Sequence, residues 1–206
     1  MSSAEPTVFV IDDDEPVRDA IGLLLDTVDI PFESYDSAQS FLSSYDNGRT
    51  GCLVLDIRMP GMSGLELQDH LIEQNDPLPI IFITGHGDIP MAVEAMKKGA
   101  MDFIRKPFRD QELLDRVQEA LARDANVREH RADLESIRTR AGSLTPREQE
   151  VFERVAEGQA NKVVAIDLGI SERTVEIHRS QVMQKMEARN LADLVKMKIL
   201  LDQNQA

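Results

Sequence analysis

Five short strand-like runs, each followed by a segment with helical spacing, limit what this chain can fold into more than any other feature. Val8-Phe9-Val10-Ile11, Cys52-Leu53-Val54-Leu55 and Ile80-Ile81-Phe82-Ile83 are apolar at every position. That pattern suits strands covered on both faces, as in a parallel sheet, and not strands with one wet side. The expected strands are Thr7–Ile11, Phe32–Tyr35, 52–55, 80–83 and 102–104. Between them, Val17, Ala20, Ile21, Leu24, Leu25 and Val28 recur at helical spacing, as do Ala38, Phe41, Leu42 and Tyr45. Leu65, Leu67, Leu71 and Ile72 mark a third helix, and residues 91–98 and 112–122 give two more. Five strand–helix units predict a doubly wound parallel sheet with helices on both faces.

The carboxyl ends of such strands open onto one crevice. The first delivers Asp12 and Asp13, the third Asp56, the fourth Thr84, and the fifth Lys106 followed by Pro107. Asp12, Asp13 and Asp56 within a few ångströms would raise one another's pKa, so the site calls for a cation. A few oxygen ligands with room for water and phosphate suit Mg²⁺ (or Mn²⁺) better than Ca²⁺, which takes roughly six to eight oxygens. An aspartate beside that ion can attack a phosphoryl group, while the ion and the Lys106 ammonium neutralise the transferring oxygens. Single aspartates at strand ends often serve only as helix caps. Three of them with Thr84 and Lys106 on one rim favour the chemical reading.

The chain has 206 residues and a net charge of −14, long enough for one large domain or two small ones with cores of their own. The acidic excess lies wholly in residues 1–125, which should repel nucleic acid, whereas residues 143–206 are nearly neutral. The single cysteine, Cys52, sits inside an apolar run and reads as a small buried hydrophobe in a reducing cytoplasm. No run reaches the roughly 18–20 apolar residues of a membrane span, and no basic-then-apolar leader opens the chain. The expected location is cytoplasmic, with no membrane partner.

Three segments are expected: 1–123 as the α/β domain, 124–142 as a helical linker, and 143–206 as an all-α domain. In the linker Val127, His130, Leu134, Ile137 and Ala141 form a thin apolar seam, which either pairs with a second copy or rides on a solvated helix. Asp124 is out of place in that rhythm. Thr145-Pro146-Arg147-Glu148 is a capping box with proline at the first helical position. Val151, Phe152, Val155 and Ala156 then make an apolar face. Asn161–Leu168, a Gly169-Ile170 turn and a helix capped by Ser171 and running to Met186 form a helix-turn-helix pattern, closed by a helix over 191–201. Arg173, Thr174, Glu176, Arg179 and Gln181 are candidates for its outward, base-reading side, and Lys162, Arg189 and Lys196 for phosphate contacts. Residues 171–186 hold three basic residues against two acidic ones, so a monomer's pull on DNA is weak and a dimer is expected.

Asp12-Asp13, Asp56-Ile57-Arg58-Met59-Pro60-Gly61, Thr84-Gly85-His86-Gly87 and Lys106-Pro107-Phe108 resemble the receiver motifs of two-component response regulators. Leu144-Thr145-Pro146-Arg147-Glu148 and Arg173-Thr174-Val175-Glu176-Ile177-His178 resemble the output domain of their FixJ/NarL (LuxR-type) class, and Glu176-Ile177-His178-Arg179 is closer to the FixJ branch. The resemblance spans nearly the whole chain. It implies a flavodoxin-like receiver with strand order 2-1-3-4-5 and a four-helix DNA-binding domain. It implies that Asp56 is the phosphoacceptor and that Asp13, Asp56 and the backbone carbonyl of Arg58 bind Mg²⁺ (or Mn²⁺), with Asp12 acting through water. Thr84 and Phe103 would be the switch pair, and a cis Lys106-Pro107 bond would let Lys106 reach the phosphate. Implied partners are a sensor histidine kinase, promoter DNA, RNA polymerase and, once phosphorylated, a second copy. Met91, Val93, Met96 and Lys97 are candidate dimer contacts unless they pack within their own fold. The implied role is a transcriptional activator and not an enzyme. A phosphatase that uses an aspartate nucleophile usually has a second acid two residues on, where this chain has Arg58. No tryptophan and only two tyrosines leave no aromatic platform for RNA bases. A module that binds protein in place of DNA is the remaining rival.

Overall fold

The structure, a computed structural model, describes residues 5–203 except 77 and 86–88. It divides into two compact units, Met1–Arg128 and Glu129–Ala206.

The first unit contains β1 (Thr7–Ile11), α1 (Glu15–Asp26), β2 (Phe32–Tyr35), α2 (Ala38–Ser44), β3 (Gly51–Asp56), α3 (Gly64–Glu73), β4 (Ile80–Thr84), α4 (Ile89–Lys97) and β5 (Asp102–Arg105). All five strands are parallel, in the order β2-β1-β3-β4-β5. Alternate residues of one strand serve opposite faces of the sheet. Phe9 and Ile11 of β1 join Leu53, Leu55, Phe82, Phe41 and Leu67 in one core. Val8 and Val10 join Cys52, Val54, Ile81, Ile21 and Val117 in the other. This is why β1, β3 and β4 each carry an unbroken apolar run, 8–11, 52–55 and 80–83: neither face meets water there. Strand β3 runs one residue further at each end than expected, so Asp56 is its last residue.

The fifth helix, α5 (Asp110–Gly142), is unbroken for 33 residues, where the sequence reading has a helix over 112–122 and a separate linker. Residues 119–142 contain no proline and no glycine before Gly142, so nothing interrupts the backbone ladder. Early in α5, Leu113, Val117 and Ala120 pack into the core of the first unit. Late in α5, Ile137 is buried in the core of the second, with Ala141 against it. Those two members of the expected seam are therefore covered by their own chain.

The second unit continues with α6 (Pro146–Ala156), α7 (Asn161–Leu168), α8 (Glu172–Lys185) and α9 (Leu191–Gln203). The capping box forms as expected: Thr145 accepts from the Glu148 amide and Glu148 from the Thr145 amide, with Pro146 opening the helix. Lys185 of α8 also donates to Glu148 at 2.6 Å. That ammonium, the Thr145 amide and the Thr145 hydroxyl together hold the Glu148 carboxyl below its ordinary pKa against its burial. Gly169, at φ 66°, ends α7 in the left-handed conformation that a side chain disfavours, and Ser171 caps α8 by accepting from the Thr174 amide. Val151, Phe152, Val164, Val175, Val182, Met186 and Leu194 fill the core.

Candidate functional site

The ends of β1, β3, β4 and β5 bring Asp12, Asp56, Thr84 and Lys106 to one rim. Lys106 Nζ donates to Asp12 Oδ2 at 2.6 Å and to Asp56 Oδ1 at 2.7 Å. The other oxygens also have donors: Arg58 N to Asp56 Oδ2 at 2.6 Å and Asp14 N to Asp12 Oδ1 at 2.9 Å. Asp12 and Asp56 are buried. Burial pushes the Asp56 carboxyl above its ordinary pKa, and the Lys106 ammonium only partly pulls it back. Burial would lower Lys106, but bonds to Asp12 and Asp56 outweigh it and the ammonium is held above its ordinary pKa. Two carboxylates share one ammonium, so the lysine is fully compensated while Asp56 is not.

The expected nest of three carboxylates takes a different form. Asp13 is exposed, and among the described residues no three His, Cys, Asp or Glu side chains stand close enough to hold one ion. A lysine, which sequence order cannot place in space, bridges the two buried acids. The donors on the rim are still all oxygen, the set that a hard cation such as Mg²⁺ takes, and an under-compensated Asp56 is a group such a cation would stabilise.

Thr84 is buried and its hydroxyl donates to Gly85 O at 3.2 Å. Phe103 is 36% exposed, its ring at the surface of β5. The Lys106-Pro107 bond is cis, as expected. His86 and Gly87 of the motif lie outside the described residues. A cleft of about 600 Å³ opens beside Lys106, lined by Pro16, Val17, Ala20, Pro107 and Phe108. On α4, Val93 and Met96 are exposed, whereas Met91 packs on the core of its own unit.

In the second unit α7 and α8 form the helix-turn-helix. The Arg173 side chain is 85% exposed and lies 4.0 Å from Glu176. Glu176, Gln181, Lys162, Arg189 and Lys196 are also exposed. Two candidates are drawn inward. Thr174 is half-buried with its hydroxyl 2.8 Å from Ser171 Oγ, so it supports the cap. Arg179 is half-buried and donates to Asn161 Oδ1 at 3.1 Å, bracing α8 on the start of α7. Ile177, 51% exposed, was missed. It shares the outward stripe of 173, 176, 177, 180, 181 and 184, which three- and four-residue steps would have identified.

A doubly wound unit with an acid–lysine site at its strand ends, joined to a helix-turn-helix unit, is the architecture of a two-component response regulator. Residues 8–118 match the response regulator receiver domain, and residues 142–198 match the luxR family of bacterial regulatory proteins. Nodulation protein W of Bradyrhizobium diazoefficiens is 49% identical over 196 residues, 95% of this chain and 86% of that one. Transcriptional regulatory protein FixJ of Rhizobium meliloti is 45% identical over 195 residues, covering 93% and 94%. Among solved structures, response regulator StyR is similar with TM-score 0.85 and 46% identity over 97% of this chain and 100% of that one. Full-length FixJ from B. japonicum gives TM-score 0.59 and 39% identity, covering 97% and 98%. The chain belongs to the response regulator family with a luxR-type DNA-binding output, and it is a two-component transcription regulator. Among the described residues no helix is long and apolar enough to cross a membrane.

Proposed function

We propose that Asp56 accepts a phosphoryl group from a sensor histidine kinase and that this drives dimerisation and promoter binding. An Asp56 carboxylate oxygen forms the new bond to phosphorus as the bond from phosphorus to the donor histidine nitrogen breaks. The apolar cleft beside Lys106 offers the donor a way in. Asp13, Asp56 and the Arg58 carbonyl, with Asp12 through water, are the groups that would hold Mg²⁺ (or Mn²⁺) once Asp13 turns in from the surface, and the ion would supply positive charge to the phosphoryl oxygens. Lys106 supplies the rest, already 2.7 Å from Asp56. What carries the reading is that ammonium, set between two buried carboxylates at the ends of β1 and β3 in a chain that also carries a helix-turn-helix.

Phosphorylation adds about two negative charges and strong acceptor oxygens. Thr84 turns its hydroxyl to one of them, and Phe103, now at the surface, swings into the space behind it. The surface that changes carries Val93 and Met96, which meet a second copy. Pairing matters because the net charge of α8 is small and two half-sites bind where one does not. Arg173, Glu176, Gln181 and Ile177 face base edges, Lys162, Arg189 and Lys196 face phosphates, and the bound dimer recruits RNA polymerase in the cytoplasm as an activator. In the test, acetyl phosphate with Mg²⁺ labels the parent and produces a dimer that shifts promoter fragments, whereas Asp56→Asn does none of these. Labelling of Asp56→Asn would refute the assignment.

A further inference from the structure

Asp124 takes no part in the phosphoacceptor chemistry, yet it is only 2% exposed. Its Oδ2 accepts from the Gly51 amide at 2.9 Å. Arg128 Nε donates to Asp124 Oδ1 at 2.8 Å and to Oδ2 at 2.9 Å. The remaining guanidinium nitrogens take the loop before β3, Nη1 donating to Gly48 O at 3.0 Å and Nη2 to Arg49 O at 2.6 Å. A buried carboxylate persists only with such partners, and a planar fork that serves a carboxylate and two carbonyls at once is what arginine offers and lysine does not. Gly51 is equally constrained: at φ +145°, a Cβ there would lie 1.8 Å from Thr7 O.

This clamp joins α5 to the first residue of β3, and the last residue of β3 is Asp56. It also extends the docked part of α5. The helix's fully buried apolar residues in this core end at Ala120, two turns before Arg128, and Arg128 is the last residue of the first unit. From Glu129 to Ser136 every residue is exposed except the half-buried Leu134. We propose that Asp124 and Arg128 are positioning residues for signal output. They fix α5 to the start of β3, so that movement of the output unit begins at Glu129, and removing them uncouples output from Asp56. The inference rests on the regulator reading above.

Hydrogen exchange on the unphosphorylated full-length chain tests the clamp without phosphate or DNA. Arg128→Ala is expected to speed exchange across residues 122–132 about tenfold or more while peptides from β4 match the parent. Arg128→Lys falls between the two, and Arg123→Ala, an exposed neighbour outside the clamp, matches the parent. Parent-like exchange in Arg128→Ala overturns the proposal. In the second measurement, Arg128→Ala and Arg128→Lys take up phosphate at Asp56 as the parent does. Their gain in operator affinity on phosphorylation shrinks about fivefold or more, and an undiminished gain in both variants also overturns the proposal. A parent that takes up no phosphate refutes the regulator reading instead, and the exchange result still decides the clamp.

Discussion

Replacing Lys106 with methionine should turn the site against the fold. The side chains of Asp12 and Asp56 are 1% and 9% exposed, and that of Lys106 is 25% exposed. Removing one partner from a buried ion pair costs about 3–5 kcal/mol. Because the ammonium is a quarter exposed and water can partly replace it, the low end, about 3 kcal/mol at pH 7 without divalent cations, is the appropriate figure. The pH dependence has a definite sign. In the parent the folded pKa of Lys106 is raised, so its contribution is full below the ordinary lysine pKa and is lost only as pH rises through the folded value. Asp56 is also raised, so its protonated form favours the fold at low pH and its ionisation costs stability. Without the ammonium that cost grows. Lys106→Met should therefore recover stability as pH falls from 7 toward the acid range, by at most about 1.4 kcal/mol per pH unit for each proton taken up. Magnesium should restore part of it at pH 7. The chain has no tryptophan and only two tyrosines, Tyr35 and Tyr45, both in the first unit. Tyrosine emission in a urea titration thus reports that unit alone. A Lys106→Met protein within about 1 kcal/mol of the parent at pH 7, with no recovery on acidification, would refute the reasoning.

Gly51→Ala forces a side chain against Thr7 O; about 3 kcal/mol or more should be lost from the same tyrosine-monitored transition. Arg179→Ala removes the brace to Asn161. Gel shifts across salt concentrations should show a lower preference for operator over random DNA with an unchanged salt slope, whereas a slope smaller by about one would mean that Arg179 touches a phosphate. Glu148 is held below its ordinary pKa by Lys185 and the Thr145 amide. Its contribution is present above the ordinary glutamate pKa and lost as pH falls through the lower folded value. Glu148→Gln should lower the thermal midpoint of the output unit at pH 7 and flatten its decline in acid, as followed by far-UV circular dichroism.

Strands β1, β3 and β4 were legible because a sheet covered on both faces demands unbroken apolar runs, and each of these runs is followed by the residue it delivers. Asp56 and Lys106 therefore declared themselves from position alone. What Lys106 touches did not, since its partners stand 94 and 50 positions away, and no periodicity encodes such a distance. Asp124 looked like an error in an apolar rhythm for the same reason: its partner, the Gly51 amide, is 73 positions back. The outward face of α8 was legible at Arg173, Glu176 and Gln181. It was not at Arg179, whose direction is set by where α7 packs. The expected boundary at 123/124 followed the change in composition over 119–142, but a helix continues through charged residues when nothing breaks its backbone.

Ile137 and Ala141 sit in the core of the output unit although they precede its capping box. A fragment trimmed at Ser143 would thus remove Ile137 and Ala141 from that core and leave part of it uncovered. Anyone exchanging sensor inputs between regulators of this design should place the splice in the largely exposed stretch 129–136, upstream of Ile137.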